Sequence, residues 1–93
     1  MARTLDEYRH KLVDKILLAE SPKDALRFSD TAIRSLNEHK VHSYIIVRFI
    51  DKTLMNLEEV SALRIGENQY NNIKSAIGHF VHIRKKYQNS AVS

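Results

Sequence analysis

The chain has 93 residues, 43% hydrophobic and 28% charged, which is typical of one small globular domain and not of a disordered chain. It contains no cysteine, so disulfides and thiolate metal sites are excluded, and this suits a reducing cytoplasm. No apolar run approaches the roughly 20 residues that a membrane span needs, and charged residues near the start argue against a signal peptide. We therefore expect a cytoplasmic protein that does not enter a membrane.

Two helix starts are visible in the first third of the chain. Thr4 and Glu7 have the spacing of a capping box, in which the hydroxyl and the carboxylate each bind a backbone N–H near the helix end. Ser21 followed by Pro22 is typical of a cap and a first helical residue. Apolar residues at helical spacing follow both starts, so we predict helices over about 5–19 and 22–37.

The third segment is ambiguous by propensity alone. Its first half, Ser43 to Ile50, is rich in β-branched and aromatic residues, which favour a strand. A single strand would have no partner, however, and helical spacing continues unbroken over about four turns. The positions that keep this spacing are Ile46, Phe49, Ile50, Thr53, Leu57 and Val60. The sequence therefore predicts a helix over about 41–64.

The last helix is expected over about 69–88, with a flexible tail over 89–93. Gly66 is expected to end the third helix in the left-handed conformation, and Asn68 to cap the fourth. Four amphipathic helices with short connections predict an all-α protein, an antiparallel up-down four-helix bundle forming one domain over 1–88.

The third helix is apolar on nearly all sides in its first half. Because one side of such a helix would face solvent in a four-helix monomer, we expect it to be covered by a second copy in a homodimer. The alternative is a central helix that packs unevenly within one subunit. The residues predicted for self-association are Val41, Tyr44, Ile45, Arg48 and Met55.

The net charge of +4 lies entirely in the last helix. The chain through Glu67 has equal numbers of acidic and basic residues, and no acidic residue follows. Such a segment favours an acidic protein partner or, alternatively, the phosphates of a nucleic acid. Basic residues near a helix end also stabilise the helix dipole, whatever the protein binds. The predicted partner surface consists of Lys74, His79, His82, Lys85 and Lys86.

No catalytic or cofactor motif is present in the sequence. Two His-x-x-His pairs occur, beginning at His39 and His79, and each pair lies on one helix face where it could bind a metal ion. The sequence shows no further metal-binding side chains on the inward sides of the helices. A histidine-bound metal protein is therefore the second alternative for the function, after a nucleic-acid-binding regulator. We predict a small non-catalytic interaction protein without metal or cofactor that self-associates and presents a basic C-terminal helix to a partner.

Overall fold

The computed structural model describes residues 4–63 and 65–92, with side chains described through residue 88, and it contains four helices and no strand in those ranges. The prediction of an all-α four-helix protein is confirmed. The segment that was ambiguous between strand and helix is helical, because its inward side chains at helical spacing are buried together. The helices are α1 (Leu5–Leu17), α2 (Pro22–Glu38), α3 (Ser43–Ser61) and α4 (Glu67–Val92).

One apolar core joins the four helices. Every helix contributes residues to it at the spacing that the sequence predicts. Its largest fully buried apolar side chains are Phe80, Ile16, Ile46, Ile50, Leu57 and Ile73. Since α3 has its buried residues on one side, its opposite side is left at the surface.

The helices do not all pack against one another. Both α1 and α4 pack against each of the other helices, whereas α2 and α3 share no extended contact within the described residues. Asp30 contacts His79, and about two helical turns further along both helices Asn37 donates a hydrogen bond to the Tyr87 hydroxyl, so α2 and α4 run in the same direction. An up-down arrangement requires this relation, and the alternation of all four helices stays a prediction.

The helix starts follow the local sequence. The Thr4 hydroxyl accepts the Glu7 N–H at 3.1 Å, and the Ser21 hydroxyl accepts the Asp24 N–H at 3.3 Å, with Pro22 as the first residue of α2. Each cap satisfies one of the N–H groups that have no partner inside the helix. Both predicted starts are therefore correct.

The end of α2 is a Schellman motif, which was not predicted from the sequence. Lys40 has φ 57°, in the left-handed region, and its N–H binds the Asn37 carbonyl, while the Val41 N–H binds the Leu36 carbonyl. The apolar contact that accompanies this motif places Val41 against the subunit's own core. His42 then caps α3, because its Nδ1 accepts the Tyr44 N–H.

The predicted role of Gly66 is wrong. Neither glycine has a positive φ, and α3 ends at Ser61, too early for Gly66 to be its left-handed cap. The Gly66 N–H instead donates to Gln69 Oε1 at 3.0 Å, and its carbonyl accepts the Tyr70 N–H, which is half of a capping box at the start of α4. Asn68, the predicted cap, is consequently inside the helix.

The remaining helix bounds differ from prediction by a few residues. The end predicted for α3, residue 64, lies outside the described residues. The backbone of residues 89–92, predicted as tail, continues α4 because neither glycine nor proline interrupts it; residue 93 also lies outside the described residues. In the described ranges, no helix is both long and apolar enough for a bilayer crossing.

Candidate association surfaces

The outward side of α3 carries large apolar side chains. Tyr44 and Met55 are 62% and 61% exposed, and Ile45 is 40% exposed. Residues 44 and 55 are eleven positions apart, about three turns, so both project from the same side of the helix. We call the exposed side of this helix the α3 face, and it consists of Tyr44, Ile45, Arg48, Lys52, Met55, Glu58 and Glu59.

Val41 does not belong to this face. It is half-buried, and it packs on the core as part of the motif that ends α2. The structure thus brings together four of the five residues predicted for self-association, namely Tyr44, Ile45, Arg48 and Met55, and places the fifth beside them but turned inward.

Arg48 lies over the ring of its neighbour on the α3 face. Its guanidinium carbon is 5.9 Å from the centre of the Tyr44 ring, and Nη1 is 3.5 Å from the Tyr44 hydroxyl oxygen. A cation over an aromatic face is attracted by the ring quadrupole. This contact holds the guanidinium at the surface, and no carboxylate of the described residues pairs with it.

An open groove of about 200 Å³ runs between the α3 face and the start of α1, with Leu5 among its apolar lining residues. Arg9 also lines the groove. Its Nε donates a hydrogen bond to Asn56 Oδ1 and its Nη1 donates one to Asp6 Oδ1, both at 2.7 Å. The hydrogen bond and positive charge of Arg9, with a further contribution from Lys52, lower the pKa of Asp6 below its usual value. This groove extends the apolar surface from α3 onto α1.

The predicted basic residues of α4 divide into two groups. Lys74, His82, Lys85 and Lys86 are exposed, and we call them the basic α4 face. His79 is half-buried, and its Nε2 lies 2.5 Å from Asp30 Oδ1 on α2. The histidine thus joins two helices of the same subunit, which the sequence could not show because the two residues are 49 positions apart.

Two further features adjoin the basic α4 face. Lys74 lies over the Tyr70 ring, with Nζ 5.4 Å from the ring centre. Gly78 is exposed between Lys74 and His82, and a Cβ at this position would meet nothing within 4 Å. Arg84 is not part of the face, since its Nε contacts Asp51 of α3 as an ion pair, although without the geometry of a hydrogen bond.

The histidine pairs do not form part of a larger ligand cluster. In residues 4–63 and 65–92, no three His, Asp or Glu side chains come together in a way that could hold a metal ion. His39 binds the Ser35 carbonyl, and His42 caps α3, so the first pair has local structural roles.

Within the described residues, the fold and these surfaces define a small four-helix protein in which α3 exposes large apolar side chains among charged ones and α4 exposes a basic face. The chain matches no protein-family model, no curated protein and no solved structure.

Proposed function

We propose that the protein is a non-catalytic interaction protein that forms a homodimer through the α3 face. The observation that supports this most directly is the exposure of Tyr44 and Met55 on a helix whose opposite side lies in the core. Aromatic residues and methionine are enriched in interfaces, and large apolar side chains grouped on one surface indicate a contact site.

The small size of the chain also favours dimerisation. A domain of about 90 residues buries roughly two-thirds of the surface of its unfolded chain, so its own core is modest. Covering Tyr44, Ile45 and Met55 would remove apolar surface from water, which stabilises the dimer by about 25 cal/mol for each Å² that is buried. We include a cytoplasmic location in the proposal, because the chain contains no cysteine and this suits a reducing compartment.

Sedimentation equilibrium of the full chain tests the dimer. We expect twice the chain mass at high concentration and dissociation on dilution over about 1 mM to 1 μM. The double variant Tyr44→Glu/Met55→Glu is expected to stay monomeric with an unchanged helical circular dichroism spectrum, because each copy would lose two large apolar side chains of the contact and dimerisation would have to remove the new carboxylates from water. Leu18→Glu is the matched control, since Leu18 is 73% exposed but lies outside the α3 face. A monomeric wild-type chain across that range contradicts the proposal.

The basic α4 face is the second part of the proposal, as the surface for an acidic partner. Its three lysines and His82 form no ion pair among the described side chains. The proposed partner is an acidic protein or, alternatively, a nucleic acid. A gel shift with duplex DNA distinguishes the two, because binding through phosphates weakens steeply between about 50 and 200 mM salt.

A further inference from the structure

The charges of the α3 face are divided along the helix. Arg48 lies in its first half and Lys52 at its middle, whereas Glu58 and Glu59 lie in its second half, all at the surface. None of these four forms an ion pair within the described residues, whereas the half-buried Asp51 is paired with Arg84. One copy of α3 thus presents a positive end and a negative end that form no ion pair with the described residues of their own subunit.

We propose that the α3 helices of two copies pack antiparallel about a two-fold axis near Leu54, so that each basic half faces the acidic half of the other copy. This inference rests on the proposed self-association. Arg48 and Glu59 are eleven residues or about three turns apart, so they project from the same flank of α3, and a two-fold axis brings like flanks of the two copies together. Arg48 opposite Glu59 of the partner subunit places the axis between residues 53 and 54.

The antiparallel arrangement also suits the apolar residues. Met55 lies next to the axis and therefore contacts Met55 of the partner subunit. Tyr44 lies near the other end of the contact, opposite Leu63 of the partner subunit, and Leu63 is 64% exposed in the single chain. A parallel pair would instead place Arg48 and Glu59 each against its own copy, and like charges in contact are unfavourable.

Disulfide cross-linking distinguishes the two arrangements, because the chain has no cysteine of its own. A disulfide requires Cα atoms within about 7 Å. In the antiparallel dimer, the two copies of residue 55 are neighbours, while the two copies of residue 44 are about 30 Å apart along the helix axis. We therefore expect Met55→Cys to form covalent dimers on mild oxidation and Tyr44→Cys to form few. Leu18→Cys is the control for cross-linking by random collision.

Charge reversal tests the pairing separately. Arg48→Glu is expected to raise the dissociation constant of the dimer about tenfold or more, because two attractions become repulsions. Adding Glu59→Arg to the same chain is expected to restore the wild-type value. Arg34→Glu makes the same change of charge on α2, and we expect it to leave the dissociation constant within about twofold, since this exposed side chain is remote from α3.

The outcomes separate this inference from the proposed function. A wild-type chain that sediments only as a monomer overturns both. A wild-type dimer in which Tyr44→Cys cross-links efficiently, or in which Met55→Cys does not, overturns the antiparallel arrangement and leaves self-association standing. Failure of Glu59→Arg to rescue Arg48→Glu overturns the pairing of these two residues.

Discussion

Gly78→Ala is expected to stabilise the protein. Gly78 lies eleven residues after the start of α4 and fourteen before its end, so it is inside the helix and far from either cap. Glycine in such a position is about 0.8–1.0 kcal/mol less favourable than alanine, because its backbone loses more conformational freedom on folding. The added Cβ would meet nothing within 4 Å, and the φ of Gly78 is not positive, so neither a clash nor strain offsets this gain.

Urea denaturation followed by circular dichroism measures the effect. A gain of about 1 kcal/mol raises the midpoint by about 0.5–1 M urea and the melting temperature by about 4–8 °C for a domain of this size. Gly66→Ala is the control, since an N-cap position prefers glycine to alanine and no gain is expected there. Both variants should be compared at one protein concentration, because the proposed dimerisation would also stabilise the folded state.

An unchanged or lower midpoint for Gly78→Ala would refute this reasoning, since the open space around residue 78 would then be occupied. Binding gives a second result from the same variant. If an anionic partner approaches the α4 backbone closely, the methyl group weakens its binding while the free protein becomes more stable. If only the lysine side chains make the contact, binding is unchanged.

Two further substitutions test features of the backbone and the core. Lys40→Gly should stabilise the protein by about 0.5–1 kcal/mol, because a non-glycine residue at φ 57° is strained, and urea denaturation checks this; a loss of stability would contradict it. Asn72→Ala should destabilise by about 1–3 kcal/mol, because the fully buried Asn72 side chain donates to the Ala19 carbonyl at 2.7 Å and that carbonyl would lose its partner. The exposed neighbour Asn71→Ala is its control, with an expected change below about 0.5 kcal/mol, and equal effects of the two would count against the role of this hydrogen bond.

The sequence predicted the features that depend on local pattern. The inward positions of α3 from Ile46 to Leu57 repeat at helical spacing, and burial of that side outweighs the strand propensity of individual residues. The caps at Thr4 and Ser21 involve only residues three apart in the chain. These interactions can be predicted from the sequence because the two interacting residues are always separated by the same small number of positions.

Features that depend on tertiary arrangement were missed. The contact of His79 with Asp30 and that of Arg9 with Asn56 join residues nearly 50 positions apart. Helical periodicity shows which side of a helix is buried, but not which other helix covers it. The sequence therefore could not distinguish His79, which contacts Asp30, from the exposed lysines of the basic α4 face. The left-handed residue was misplaced for a related reason: Gly66 has the residue type that favours this conformation, yet the chain adopts it at Lys40.

The exposure of Tyr44 follows from the way α2 ends. The left-handed Lys40 turns the chain so that Val41 packs on the core, and His42 caps α3 directly afterwards. From that start, helical geometry turns Ile46 inward and Tyr44 outward. Glycine adopts the same φ as Lys40 does here, so Lys40→Gly should raise stability without moving the α3 face. We therefore expect it to leave the dissociation constant of the proposed dimer within about twofold once folding is complete. A larger change would show that the turn itself takes part in the contact between the two copies.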